Sequence, residues 1–264
     1  ILKGTLAHSE CPFTSDKEIT MTTMRTSITL SNSWEYYPVT LNEDLASIRV
    51  DLEAKKLLPS AVHTHYVRLG YDASETGMPT PDEVERLNRL EDILEAQLLL
   101  TNDIYHVGTI LSQGIMDLFY VSEYSHQWEN IVKTILPNEN HASGSFENDD
   151  YALYDTSLYP SIFDFNTIQN RNLCMRLEQN GLNPELPRPI DFYFNFPTQE
   201  DATQFIQTLN PKFEIVNGDF SDDGTYILQI NLSLPPTFPN MNTLTTQLLK
   251  GAQEFNGAFD NWGI

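Results

Sequence analysis

The clearest alternation in the chain runs from Ile190 to Phe196, where Ile190, Phe192, Phe194 and Phe196 take turns with Asp191, Tyr193 and Asn195. A period of two predicts a half-buried strand. Pro197 and Thr198 stop that strand, and TQED from Thr198 to Asp201 offers a capping box for a helix with Ala202, Phe205, Ile206 and Leu209 on one face. Asn210-Pro211 ends the helix. Lys212 to Phe220 reads as a second strand, DDG at 222 to 224 as a turn, and Thr225 to Leu234 as a third strand with Tyr226, Leu228, Ile230 and Leu232 alternating. After Pro235-Pro236, Asn240 is placed to cap a helix whose Met241, Leu244, Leu248, Ala252 and Phe255 recur at helical steps. Gly257 ends it, and AFDNW supplies a short last strand. The order βαββαβ is that of a ferredoxin-like unit, one sheet with two helices on one face.

The earlier part of the chain repeats this plan with an addition in front. Thr26 to Val39 and Ala46 to Leu52 alternate around Asn42-Glu43-Asp44, which predicts a β-hairpin with Trp34, Tyr36 and Tyr37 as large packing surfaces. A strand from Val62 to Tyr71 follows. Thr80 as N-cap, Pro81 at the first helical position and Glu83 closing a capping box then predict a helix with Val84, Leu87, Leu90 or Glu91, Leu94 and Leu98 inward. Its Glu85, Asp92 and Glu95 form an acidic face assigned to solvent. Two strands, Tyr105 to Leu111 and Ile115 to Val121, are joined by SQG, and a short helix from about His126 to Ile135 ends before Pro137. SFENDDYALYDTSLYP is read as a final strand and a helical turn, and Asn166 to Asn180 as a helix leading to the connector GLNPELPRP. The fold class is therefore α+β, two tandem ferredoxin-like sandwich domains, the first with an extra N-terminal hairpin.

Two stretches carry family resemblances. RNLCMRLEQNGLNPELPRPIDFYFNFPT and LTTQLLKGAQEFNGAFDNWGI resemble the bacterial regulators of ribonuclease E activity of type B (RraB), covering roughly the last hundred residues, with Asn261 where that family's ending has a glycine. The resemblance implies a protein that inhibits ribonuclease E by binding it. WEYYPVTLNEDLASIRVDL, PTPDEVERLNRLEDIL, HVGTILSQGIMDLFYV and DDYALYDTSLYP resemble an uncharacterised family of bacterial domains found ahead of RraB-like ones, with Ala152 and Leu153 near the place of a family tryptophan. That family has no assigned activity, so the second resemblance implies architecture alone. Residues 1–25 are expected to be a disordered leader or extension, 26–160 an uncharacterised α+β domain and 161–264 an RraB-like ferredoxin-like domain.

Composition adds one strong signal. Acidic residues number 37 against 15 basic, a net charge of −22. Such a surface disfavours direct binding to nucleic acid or anionic lipid and steers toward a protein partner with a basic surface, although acidity also serves solubility alone. No run reaches the roughly 18 apolar residues of a membrane span, and the start lacks the apolar centre of a secretory signal. The protein is expected in the cytoplasm. Cys11 and Cys174 are expected to be free thiols.

The search for chemistry is mostly negative, since GxGxxG, a Walker loop, GxSxG, HExxH and paired CxxC are all missing. No catalytic residue and no cofactor are assigned. His63 and His65 share one strand face and form a weak metal candidate with His106 as third ligand, set against ordinary polar residues on an exposed face. Asp219, Asp222, Asp223 and Asp260 are the candidate protein-binding residues; Asp222 and Asp223 also suit a plain hairpin turn. Trp262 is expected to be a core anchor. The competing functional class is an enzyme or small-molecule binder with a site between the two domains, which convergent His or carboxylate groups in a deep pocket would favour.

Overall fold

Two antiparallel sheets, each with helices packed on it, make up the computed structural model, which describes residues 33–101 and 103–264. The leader, Cys11 and the part of the first expected strand before residue 33 lie outside the described residues. The first sheet holds β1 (Trp34–Leu41), β2 (Asp44–Asp51), β3 (His63–Gly70), β4 (Ile104–Ser112), β5 (Ile115–Ser122) and β6 (His141–Phe146), ordered β1-β2-β4-β5-β3-β6. Tight turns set its registers. Asn42 and Glu43 sit at φ 51° and 74°, and Gln113 and Gly114 at 47° and 79°, the paired positive values of two-residue hairpin turns that follow strand twist.

Helices α2 (Pro81–Leu98) and α3 (Trp128–Ile135) cover one face of this sheet and enclose Val67, Leu69, Leu118, Leu94 and Trp128. Several expectations change here. Thr80 starts α2, but its side chain caps nothing, and the Glu83 carboxylate accepts from Arg86. Both Leu90 and Glu91 are buried, while Val84 is exposed. The last strand of this unit lies earlier than expected, at β6, and the DDYALYDTSLYP stretch forms no strand. At β6 the small residue Gly144 lies against the Tyr66 ring, where a Cβ would stand 2.8 Å from that ring.

The opposite face of the first sheet is also covered. Tyr37, Ile48, Val50, Tyr105, Val107 and Val121 pack against a short helix α1 (Ala54–Leu57), a π-helical turn (Tyr154–Leu158) and Ile168. Ile168 belongs to α4 (Ile162–Gln179), which begins at a true capping box, Ser161 with Asp164, earlier than the sequence pattern indicates.

The second sheet contains β7 (Arg188–Phe196), β8 (Glu214–Phe220), β9 (Tyr226–Leu234) and β10 (Ala258–Gly263) in the order β10-β7-β9-β8. Ile190, Phe192, Phe194 and Phe196 of β7 are fully buried under α5 (Gln199–Thr208) and α6 (Phe238–Glu254). Each such side chain contributes about 1.5–3 kcal/mol. Thr237 rather than Asn240 caps α6: the Asn240 amide donates to the Thr237 hydroxyl. Trp262 is buried as a core anchor.

Helix α4 belongs to both units. One face sends Ile168 into the first core, and another sends Cys174 into the second. Burial pushes the Cys174 thiol up to about 11, so it is an unreactive packing group. Beside it, Asn170 Oδ1 accepts from Trp262 Nε1 at 2.7 Å, and its Nδ2 donates to Thr245 Oγ1 at 2.7 Å. Asn166 Nδ2 also donates to Thr245, at 3.0 Å. Toward the first sheet, Arg171 lies 3.9 Å from the Tyr36 ring centre and bonds the Tyr36 carbonyl, and its Nη2 reaches Glu35 at 2.8 Å. Asn170→Ala leaves the Trp262 N–H buried without a partner, and we expect a loss of about 1–3 kcal/mol. Urea unfolding with hydrogen exchange at β7 and β10 measures it; an unchanged midpoint would contradict the assignment.

Candidate functional site

The candidate acidic residues do not form one surface. Asp219 lies on β8, and Asp222 and Asp223 in the turn that joins β8 to β9, whereas Asp260 lies on β10 at the opposite edge of the sheet. Three are neighbours and the fourth is not. Asp223 is occupied locally, accepting from Ser221 Oγ at 2.5 Å and the Thr225 amide at 3.0 Å, and the serine bond holds its carboxyl below the usual range. Asp219 accepts from the Phe220 amide at 2.8 Å.

The strand that carries Asp219 is distinctive in its own right. Among the described residues β8 pairs only with β9, its other edge has no partner there, and every residue from Glu214 to Phe220 is exposed. Ile215, Val216 and Phe220 are each more than half exposed. Unpaired backbone groups beside apolar side chains form a template for another chain. Periodicity alone had marked this strand without revealing that it is an edge.

A groove of about 770 Å³ runs between α4 and β10, lined by Asn166, Asn170, Arg176, Asn261 and Trp262 among others. Its lining includes no histidine and no carboxylate.

The histidines go to separate places. His65 is fully buried with Nδ1 2.7 Å from Ser145 Oγ and Nε2 2.8 Å from Ser122 Oγ, and it stacks on Trp128 at 4.8 Å. His63 meets Glu147 at 2.8 Å. His106 does not join them. A bulge between His106 and Gly108 turns its ring toward α2, where Nδ1 stands 2.9 Å from Glu95 Oε1 and 3.6 Å from Glu91 Oε1. Gly108 serves this bulge, because a Cβ there would meet the Arg49 carbonyl oxygen at 2.9 Å and Leu158 at 3.0 Å. Arg49 from β2 pairs with Glu91, and Trp34 lies within 5.1 Å of both the Arg49 guanidinium and the His106 ring. Glu95, assigned to solvent from its spacing, thus belongs to a half-sheltered ionic cluster. Only knowledge of the bulge could have paired it with His106.

Residues 167–264 match the family described as Regulator of ribonuclease activity B, RraB. Residues 32–159 match a family of unknown function, DUF695. The chain joins a DUF695 domain to an RraB domain. No curated protein matches the sequence. The RraB domain contains the exposed β8 edge and the aspartates, while the DUF695 domain contains the Arg49–Glu91–Glu95–His106 cluster. No helix among the described residues is long and apolar enough to cross a membrane.

Burial holds His65 down at about 4, with His126 and His63 acting in the same sense and Asp103 opposing. Because this pKa lies below the ordinary 6.5, the unfolded chain binds the proton first as pH falls. The stabilisation is complete above about pH 6.5 and is lost toward pH 4, by up to roughly 3 kcal/mol. Urea unfolding at several pH values should show this acid loss in the DUF695 domain, and a flatter profile in His65→Gln; identical profiles would refute it.

Proposed function

We propose that this chain is a non-catalytic regulator that works by binding a protein, and that its partner is ribonuclease E or an assembly containing it. The observation that carries this reading is the fully exposed β8 edge, unpaired among the described residues, of a domain from a family of ribonuclease regulators. Extended backbone from a partner can add to such an edge, with Ile215, Val216 and Phe220 giving apolar contact. Glu214, Asp219 and Asp222 give the same surface a negative rim, which suits a basic partner segment and repels a bare phosphate backbone. Asp223 contributes by shaping the turn, and Asp260 belongs to a different surface.

Inhibition on this reading requires no bond to be broken by the chain. Occupying a partner surface changes which RNA or protein gains access to it. Strand orders β10-β7-β9-β8 and β4-β5-β3-β6 support a reading of the two units, at 161–264 and 26–160, as tandem ferredoxin-like sandwiches with the β1–β2 hairpin added to the first. A cytoplasmic location fits the proposed partner.

The test is the affinity of the purified chain for ribonuclease E at two salt concentrations. We expect binding that weakens with salt, and at least a ~10-fold weaker Kd in Glu214→Lys/Asp219→Lys, about 1.4 kcal/mol or more. Asp260→Lys should bind as the unchanged chain does. No binding, or equal loss from Asp260→Lys, would reject the proposed surface.

A further inference from the structure

The DUF695 domain brings one imidazole and two carboxylates together between β4 and α2. His106 Nε2 stands 3.0 Å from the Gly108 carbonyl oxygen, which can only accept, and 3.1 Å from Thr109 Oγ1. Its Nδ1 stands 2.9 Å from Glu95 Oε1, also an acceptor when ionised. A neutral imidazole carries one N–H, and Thr109 Oγ1 can donate to Nε2 when the proton is on Nδ1. With the proton on Nε2, toward the Gly108 carbonyl, the Nδ1 lone pair faces the carboxylates of α2 and is available to a cation.

We propose that His106, Glu95 and Glu91 bind a divalent transition-metal ion, zinc in the first instance. Glu91 and Glu95 lie four residues apart on α2, and the bulge in β4 brings His106 beneath them. The three ligand atoms lie within 4.8 Å of one another. Separations of 2.9 and 3.6 Å from the imidazole nitrogen bracket the roughly 3–3.5 Å between neighbouring ligands on an ion with bonds of about 2.1 Å. A mixed set of one imidazole and two carboxylates suits zinc, and manganese or iron(II) less closely.

An independent observation points to a missing occupant. The Tyr120 hydroxyl is buried without a hydrogen-bond partner, although its ring stacks on His106 at 4.9 Å. It lines a cavity of about 80 Å³ together with Trp34, Glu95 and His106. That space admits a water on the ion's open position, and such a water would give the hydroxyl its partner. The half-exposed Glu95 side chain provides the way in. Arg49 bonds Glu91 Oε1, the same oxygen that faces His106, so its guanidinium orients that carboxylate at the site.

The full chain, stripped with chelator and dialysed, is titrated calorimetrically with zinc and separately with manganese. One saturable equivalent of zinc is expected, with affinity reduced at least ~10-fold in Glu95→Gln. The apo form of that variant should melt with the unchanged chain, since the side chain is half exposed. Nitrogen-15 NMR of His106 should show Nε2 protonated and Nδ1 shifting on zinc addition. Absence of saturable binding, zinc binding indifferent to Glu95→Gln, or two protonated ring nitrogens with and without zinc would each overturn the proposal. The NMR result decides the matter even if the variant folds poorly.

Discussion

The hydrogen bond from Trp262 to Asn170 fixes how the two units of this molecule meet. Apolar packing against α6 would tolerate α4 at several rotations about its axis, but a buried indole N–H and a buried amide must each find a partner in one geometry. Asn166, Asn170 and Thr245 make those bonds, which sets which residues of α4 face outward. With that rotation set, Ile168 reaches the first core and Arg171 reaches Glu35 and Tyr36. The added hairpin is therefore held by the helix that opens the second unit. Covering the second face of the first sheet in this way also explains its many buried tyrosines, among them Tyr37, whose hydroxyl donates to the Leu158 carbonyl at 2.8 Å.

The excess of negative charge has a structural side. Several of the few cations are engaged within the fold: Arg49 with Glu91, Arg68 with Asp117, Arg86 with Glu83 and Glu139, and Arg171 with Glu35. The more exposed of these pairs, such as Arg68 with Asp117, add little stability. Their larger consequence is that they are less available to offset the exposed carboxylates, leaving a field that favours encounter with positively charged protein surfaces. The RraB domain adds exposed aliphatic and aromatic groups at β8, so attraction at a distance and contact at short range are combined on one edge.

How far the sequence could be read depended on the range of the interactions involved. The alternation around Phe194 declares a strand because every inward position meets the same core, and Gly114 declares a turn through its positive φ. Capping was less legible: the Thr80 side chain makes no cap and Glu83 bonds Arg86, while Thr237 rather than Asn240, three residues later, caps α6. The candidate site was legible only in pieces. Asp219 and Asp222 could be named, but their separation from Asp260 depends on strand order, which no local pattern encodes. Glu95 looked like a solvated helix residue because its partner lies across a bulged strand whose irregularity depends on Gly108 and Leu158.

The claim at the centre of this account is that the RraB domain meets its partner along the β8 edge. Hydrogen exchange of the full chain, alone and with ribonuclease E, tests it most directly. The account predicts slowed exchange of amides in residues 214–220 on complex formation, with those of β10 unaffected. Unchanged exchange at β8 in a formed complex, with protection on α4 and β10 instead, would contradict it.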